Sequence, residues 1–250
     1  MQQTSKTHLV LIPTYNTSEI VIDVVKEALR CWQPVYVVVD GSNNGTEKTL
    51  VALAKSEAHL TVIQHSENQG KGNAVYTGML AALENNFTHI LTMDADGQHP
   101  AAEIKEFMQI SSSRPEAMIL GSPIFDDDAP ALRVNGRKVS NFWANLETLW
   151  LGINDSLFGF RIYPIKGLKS VMDATTFARR FDFEPEVAVR MVWKNIPVIN
   201  QAVPVRYLTA AQGGVSQFRY VRDNTLLTWM HTRLMFGFLL RFPALLWRRM

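Results

Sequence analysis

The first half of the chain alternates short apolar segments with longer stretches of helical periodicity, and this alternation restricts the fold more than any other feature. The apolar segments have the length of buried strands. Strands that alternate with helices form a mostly parallel sheet covered by helices. We therefore expect an α/β fold with a Rossmann-like sheet, and we predict strands at residues 9–12, 35–39, 60–63, 89–93 and 118–120.

A polar segment follows each of the first four predicted strands. The four segments read PTYN, DGSNNGT, ENQGKG and DADGQHP in chain order. In open α/β sheets, ligands bind in the crevice outside the carboxyl ends of the strands. The four segments therefore predict one binding site at one edge of the sheet.

The segment DADGQHP carries the most specific chemistry. Asp94 and Asp96 lie just after a predicted strand and are separated by a small residue. Two such carboxylates can share one divalent cation with a diphosphate, because Mg²⁺ takes one or two carboxylates and leaves its other positions to water and phosphate oxygens. Gln98 adds a neutral oxygen ligand. A pair of aspartates is often only a solvated loop, but this position favours a Mg²⁺ or Mn²⁺ site formed by Asp94, Asp96 and Gln98.

Two further loops carry candidate ligands for a nucleotide. Asp40 follows the second predicted strand and can accept a hydrogen bond from a nucleobase, although a helix-capping turn explains it equally well. Lys71 lies in a glycine-rich turn and can face a phosphate, whereas an ordinary tight turn is the alternative. The first strand is followed by PTYN and not by G-x-G-x-x-G, which argues against a dinucleotide-binding fold.

Composition limits the class of protein and its compartment. The chain is 47% hydrophobic and 19% charged, which is too apolar for a disordered chain. With 25 basic and 23 acidic residues, it has no global field that would recruit nucleic acid. The single cysteine, Cys31, excludes a disulfide framework and a thiolate zinc site. No secretory signal is visible in the first residues, so we expect a cytoplasmic enzyme.

Residues 225–250 differ from the rest of the chain, because apolar and aromatic side chains dominate and every fully charged side chain is an arginine. Arg233 and Arg241 interrupt the apolar run, whereas a spanning helix needs about 20 largely uncharged residues. We expect an amphipathic, apolar helical tail that lies in the membrane interface at the cytoplasmic face, with Trp229 and Trp247 at headgroup level. The alternatives are a helix that closes the core and an interface between two copies in a homo-oligomer.

A family resemblance rests on five segments in a fixed order: PTYN, VVDGSNNGT, ENQGKGNA, DADGQHP and FGFRIYP. Over about residues 8–210 the chain resembles the family 2 glycosyltransferases of GT-A fold, and most of all their dolichyl- and polyprenyl-phosphate sugar synthases. The resemblance implies a nucleotide-diphosphate sugar as donor, a divalent metal, and inversion at the anomeric carbon. By position it implies that Pro13, Tyr15 and Asp40 bind the nucleoside, although Val39 stands where the family often has a first aspartate.

The resemblance also places the acceptor side. Residues 121–142 stand where the subgroup has its acceptor loop, and Arg133, Arg137 and Ser140 lie there. A guanidinium matches a phosphate bidentately, so these residues are candidates for a lipid phosphate, with a solvated basic loop as the alternative. The run of aspartates at 126–128 is interpreted as surface charge. Residues 213–217 resemble a phosphate-closing loop in which Gln217 replaces a basic residue, so Arg219 and Arg222 are expected to supply the positive charge.

The segment FDFEPE raises the question of a general base. A hydroxyl acceptor needs a base near its attacking oxygen, whereas a phosphate acceptor arrives already ionised. Glu186 is the first candidate for this base, and Glu184 and Asp182 come next. Acidic residues in a first helical turn are also ordinary caps.

We therefore predict a glycosyltransferase in which Asp96, Arg137 and Glu186 act on the reacting groups. Residues 1–120 would bind the nucleotide sugar, residues 121–224 would bind a lipid-linked or membrane-borne acceptor, and residues 225–250 would form the tail. One alternative is transfer to a soluble or polysaccharide hydroxyl. A second is a sugar nucleotidyltransferase, which would need a glycine-rich, arginine-containing loop where PTYN stands. A non-catalytic membrane adaptor is the third, although it would have no use for DADGQHP beside a nucleotide loop.

Overall fold

A computed structural model describes residues 3–125, 131–205 and 220–249 of the chain. Within these residues, seven strands form one sheet in the order β3-β2-β1-β4-β6-β5-β7. The strands are β1 (His8–Thr14), β2 (Val35–Asp40), β3 (Leu60–His65), β4 (His89–Thr92), β5 (Met118–Ile124), β6 (Arg161–Pro164) and β7 (Val198–Pro204). All neighbouring strands are parallel except β6, which runs antiparallel to both β4 and β5. The predicted mostly parallel sheet is confirmed.

Helices cover both faces of this sheet. They are α1 (Ile20–Cys31), α2 (Thr46–Ser56), α3 (Lys71–Glu84), α4 (Ile104–Ser113), α5 (Ala131–Glu147), α6 (Ile165–Met172), α7 (Phe183–Trp193) and α8 (Tyr220–Arg249). A short 3₁₀ turn at Ala101–Glu103 precedes α4. The strands of the first half and the helices between them lie where the apolar periodicity places them.

The central strands are apolar throughout because both of their faces are covered. In β1, Leu9 and Leu11 point into a core shared with α3, α6, α7 and α8. Val10 and Ile12 point the other way, into a core shared with α1, α2 and α4. Successive residues of a strand face opposite sides of the sheet, so one short strand contributes to both cores.

The C-terminal helix α8 is part of the globular body. It packs against α5 and α7, and it buries four apolar side chains in the core: Met230, Leu234, Phe238 and Leu245. The helix begins at Tyr220, so the predicted boundary at residue 225 falls inside it. Its outer face remains apolar and exposed, with Leu240 at 84% and Trp247 at 81% of full exposure. In the described part of the chain, no helix is both long and apolar enough to cross a membrane.

Two histidines stack where β1 and β4 begin. The rings of His8 and His89 lie 4.2 Å apart at an angle of 6°. His8 Nε2 lies 3.1 Å from Ser111 Oγ, and His89 Nε2 donates to the carbonyl of Pro115 at 2.8 Å. Burial, and secondly the neighbouring His89, lower the pKa of His8 to about 4. The stack is therefore built for two neutral rings.

Acid is expected to destabilise the protein through His8. In the unfolded chain His8 titrates near its ordinary pKa of 6.5, so between pH 6.5 and pH 4 the unfolded state binds the additional proton. The stability that neutral His8 provides is present above pH 6.5 and is lost as the pH falls toward 4. The loss in the free energy of unfolding is about 3 kcal/mol, and urea unfolding at a series of pH values measures it.

The variant His8→Gln cannot take up this proton, so its free energy of unfolding should fall less steeply with acid than that of the wild type. His59 is exposed, and His59→Gln should retain the wild-type dependence on pH. Equal slopes for His8→Gln and the wild type would contradict the assignment.

Candidate functional site

A cavity of about 1320 Å³ opens at the carboxyl ends of β1, β2 and β4 and extends between α5 and α8. The predicted site residues that line it are Pro13, Tyr15, Asp40, Lys71, Asp94, Asp96, Gln98, Arg137, Ser140 and Arg222. The four polar loops therefore meet in one place, as the sequence predicts. Arg219, residues 126–128 and residues 213–217 lie outside the described residues, as does the side chain of Arg133.

Asp94 and Asp96 lie on the turn that follows β4. The backbone N–H of Asp94 donates to His99 Nδ1 at 3.0 Å, and the backbone N–H of Gln98 donates to Asp96 Oδ1 at 3.0 Å. These contacts hold the two carboxylates on one side of the turn, facing the cavity. His99, which the sequence analysis did not select, is buried and orients Asp94 from behind.

Lys71 joins the carboxylates of Asp94 and Glu184 at the N-terminus of α3. Burial alone would lower the pKa of Lys71, but the two carboxylates outweigh it and raise that pKa. Burial alone would raise the pKa of Asp94, but the charge of Lys71, followed by that of His99, lowers it to about 2. Lys71 lines the cavity and its ammonium is held between two carboxylates of the protein, and that it also faces a phosphate stays a prediction.

The residues present fit a divalent cation. Burial, and secondly the charge of Asp94, raise the pKa of Asp96, and a cation bound between the two carboxylates would favour the charged form of both. Gly159 makes room beside them, because a Cβ atom at this position would lie 2.7 Å from Asp94 Oδ2. Among the described residues, no group of three or more His, Cys, Asp or Glu side chains encloses a metal ion. Asp94 and Asp96 supply the one or two carboxylates that Mg²⁺ or Mn²⁺ accepts, with water and phosphate oxygens completing the shell.

The carboxylate of Asp40 is fully occupied by the protein. Oδ1 receives the backbone N–H of Gln69 at 2.9 Å and lies 2.7 Å from His65 Nδ1. Oδ2 receives the backbone N–H of Gly70 at 2.8 Å and the side-chain amide of Asn68 at 2.9 Å. A carboxylate has about four acceptor positions, so none is left for a nucleobase. Asp40 instead fixes the loop that leads into Lys71.

Glu186 does not face the cavity, which corrects its expected role as general base. It is fully buried, and its two oxygens receive both terminal nitrogens of Arg233 at 3.1 Å. Arg190 Nε donates to Glu186 Oε1 at 2.9 Å. Of the three acidic candidates in this segment, Glu184 lines the cavity. Asp182 accepts the backbone N–H groups of Ala178 and Arg180, so it fixes the turn before α7 and makes no side-chain cap hydrogen bond to that helix.

Arg137 lies on the cavity side of α5. Its guanidinium donates to Asp155 Oδ1 at 3.2 Å and lies 5.7 Å from the ring centre of Phe125. One turn further along α5, Ser140 Oγ lies 3.1 Å from His231 Nε2 of α8. Beyond these polar groups the cavity wall becomes apolar, with Val139 and Trp143 of α5 facing Leu227, Met235, Phe236 and Leu239 of α8.

Arg161 is a structural residue of the site that sequence reasoning did not find. It is fully buried in β6, and its guanidinium donates to the backbone carbonyls of Phe158, Asp155 and Glu184. It thereby ties the segment that carries Gly159 to the start of α7. The available signal was an arginine inside the otherwise apolar segment FGFRIYP.

The profile described as Glycosyl transferase family 2 matches residues 9–181. A polyprenol monophosphomannose synthase of Mycolicibacterium smegmatis is 25% identical, over 84% of this chain and 80% of that protein. A UDP-N-acetylglucosamine–dolichyl-phosphate N-acetylglucosaminyltransferase of Methanococcus voltae is 27% identical, over 69% of this chain and 74% of that protein. A solved glucosyl-3-phosphoglycerate synthase from Mycobacterium tuberculosis, with Mn²⁺, UDP and phosphoglyceric acid, shares the fold at a TM-score of 0.66 and 16% identity, covering 93% of this chain and 78% of that one.

The variant Glu186→Gln is expected to lower stability and not to act as a loss of catalytic base. Removing one partner of a buried ion pair typically costs about 3–5 kcal/mol, because the remaining charge stays buried and unpaired. Chemical unfolding of the variant measures this loss. Glu27→Gln is the matched control, since Glu27 pairs with Arg30 at 3.8 Å on the exposed surface and such pairs contribute about 0–1 kcal/mol. Wild-type stability in Glu186→Gln would contradict the structural role.

Proposed function

This chain belongs to glycosyl transferase family 2, and we propose that it transfers a sugar from a nucleotide-diphosphate sugar to a polyprenyl phosphate, with a divalent metal and with inversion at the anomeric carbon. The observation that carries the proposal is the cavity itself. One end of it holds the carboxylates of Asp94 and Asp96, and the other end is an apolar groove between α5 and α8. A polar donor and an acceptor with a hydrocarbon chain fit the two ends.

The donor end is built from the loops after β1 and β4. Pro13 and Tyr15 line the cavity beside Asp94 and Asp96, which supports a nucleoside at the first loop and a diphosphate at the second. A bound divalent cation, held by Asp94 and Asp96 with Gln98 beside them, would stabilise the charge of the departing diphosphate. Solved structures of the same fold with Mn²⁺ and UDP-glucose support this arrangement.

The acceptor end favours a group that arrives ionised. Glu186 is bound by two arginines, and Glu184 is paired with Lys71. A phosphate oxygen is already ionised and needs no general base to attack. Its negative charge requires a positive charge nearby, which the guanidinium of Arg137 presents to the cavity. The names of relatives that act on dolichyl and polyprenol phosphates agree with this choice.

The outer face of α8 supports contact with a membrane. Phe236 and Leu239 line the cavity and are also 66% and 60% exposed, so the groove opens onto the apolar surface that continues to Leu240 and Trp247. Large exposed apolar surfaces mark interaction sites. A helix in this position, with Arg241 among its apolar residues, would let a lipid chain pass from the bilayer into the groove.

A direct assay tests the proposed acceptor. The protein is incubated with a panel of radiolabelled nucleotide sugars and Mn²⁺, together with either a C15 prenyl phosphate or the corresponding prenol. We expect transfer to the phosphate with at least one donor and no transfer to the alcohol. Transfer to the alcohol, or no transfer to the phosphate with any donor, would overturn the proposal.

Asp96→Asn tests the metal site. A neutral amide is a weaker ligand than a carboxylate, and the loss of one strong electrostatic contact in an active site costs about 10² to 10³ in rate. We expect that loss in kcat with an unchanged melting temperature. Asp23→Asn, on the exposed face of α1, should keep wild-type turnover. Turnover of Asp96→Asn within twofold of the wild type would contradict the assignment.

The membrane contact is tested on the surface, since a truncation at Arg233 would also remove the core residues Leu234, Phe238 and Leu245. We expect that replacing Leu240 and Trp247 together by Asp releases the protein from anionic liposomes in a sedimentation assay, while nucleotide binding and the melting temperature are retained. Leu83→Asp, an exposed apolar position on α3, should leave liposome binding unchanged. Equal sedimentation of the double variant and the wild type would reject the membrane contact.

A further inference from the structure

A chain of polar side chains joins α5 to α8 at the acceptor end of the cavity. Ser140 Oγ lies 3.1 Å from His231 Nε2, and His231 Nδ1 lies 3.0 Å from Glu147 Oε1. Ser140 and His231 line the cavity, and Glu147 is fully buried. Serine, histidine and carboxylate follow one another in the order of a hydrolase triad. The direction of each hydrogen bond decides what the chain can do.

Asn141 and Ser156 fix that direction. Asn141 Oδ1 accepts the backbone N–H of Ser156 at 2.7 Å, which identifies this atom as the amide oxygen. Ser156 Oγ lies 2.8 Å from the same oxygen, and because an amide oxygen carries no proton, the Ser156 hydroxyl must donate to it. Ser156 has no second hydroxyl proton. In its 3.1 Å contact with Ser140 Oγ, Ser140 is therefore the donor.

Ser140 in turn accepts a hydrogen bond from the histidine. Its single proton is directed to Ser156, so the proton in the contact with His231 must lie on Nε2. A nucleophilic serine requires the opposite arrangement, in which the histidine takes the hydroxyl proton. The chain is therefore not a hydrolase triad. It keeps Ser140 a hydrogen-bond donor.

The contact between His231 and Glu147 accommodates a proton on Nε2. With Nε2 protonated, the contact between His231 Nδ1 and Glu147 Oε1 contains one proton shared by the two groups. Burial raises the pKa of Glu147 against the opposing hydrogen bond and charge of His231, and the charge of Glu186 adds a smaller increase. Glu147 Oε2 has no hydrogen-bond partner within the described part of the chain, which a neutral carboxyl tolerates better than a charged one.

We propose that His231 and Glu147 are positioning residues that hold Ser140 as a donor to the phosphate group of the acceptor. Arg137 lies three residues before Ser140 on α5, and residues at this spacing share one helix face. Ser140 can turn its proton from Ser156 to a phosphate oxygen without losing the bond from His231. The identity of the ligand rests on the proposed function. The positions of the protons on Ser156, Ser140 and His231, which we call the proton order, rest on the geometry alone.

A double-mutant cycle with a C15 prenyl phosphate tests the positioning role. Ser140→Ala and His231→Leu should each raise the KM for the prenyl phosphate about tenfold, and the dissociation constant of the donor should stay unchanged. The double variant should be no worse than either single variant, because His231 acts through Ser140.

His231→Gln can donate from an amide nitrogen near the position of Nε2 and should recover most of the affinity. Met230→Leu, a core change one residue away, should keep the wild-type KM. Additive losses, or an unchanged KM in His231→Leu, would overturn the proposal.

A second measurement does not depend on turnover. In ¹⁵N-histidine-labelled full-length protein, the resonances of His231, identified by their loss in His231→Gln, should show a proton on Nε2. A ring protonated on Nδ1 alone would overturn the proton order, whatever the acceptor assay gives. If no prenyl phosphate is turned over while Nε2 is protonated, the proposed function fails and the proton order stands.

Discussion

One half-buried ammonium group holds together the parts of the molecule that form the site. Lys71, at the start of α3, contacts Asp94 after β4 and Glu184 at the start of α7. Each partner comes from a different part of the chain, so the contact fixes the donor loops relative to the acceptor half. Glu184 is the buried partner, and leaving a buried charge unpaired costs far more than the net contribution of the ion pair to stability. The geometry of the carboxylates therefore depends on this one side chain.

The glycines beside Lys71 are needed because another part of the backbone approaches them closely. A Cβ atom at Gly72 would lie 2.1 Å from the carbonyl oxygen of Ala178, so α3 can approach the segment before α7 only without a side chain at this position. Asp40 fixes the other side of the same loop through backbone N–H groups. The segment ENQGKG therefore packs against the protein's own backbone. It affects ligand binding through the residues that it holds in position.

Sequence patterns predict the sheet of the first half well, because apolar strands and helical periodicity are local properties. They also predict which loops converge, since the carboxyl ends of parallel strands meet at one edge. They do not predict β6, a short strand of four residues that runs antiparallel between β4 and β5. Sequence patterns also mislead about the roles of charged residues, because the partner of a charged side chain often lies far away in the sequence. Glu184 and Glu186 are two residues apart, yet one faces the cavity and the other faces Arg233. The tail shows the same limit. Some of its apolar residues are buried in the core and others are exposed, and the sequence pattern does not distinguish them.

The strand order has a consequence for how the protein folds. Strands β1 to β4 come from the first 92 residues and occupy one contiguous side of the sheet. Three pairings of the sheet, β1 with β4, β4 with β6 and β5 with β7, each close a loop of more than 60 residues. Closing long loops costs entropy before any contact repays it, and folding slows as contacts become more distant in sequence. The long-range pairings therefore complete both the donor loops and the acceptor side, whereas the pairings of β1 with β2 and of β2 with β3 close much shorter connections.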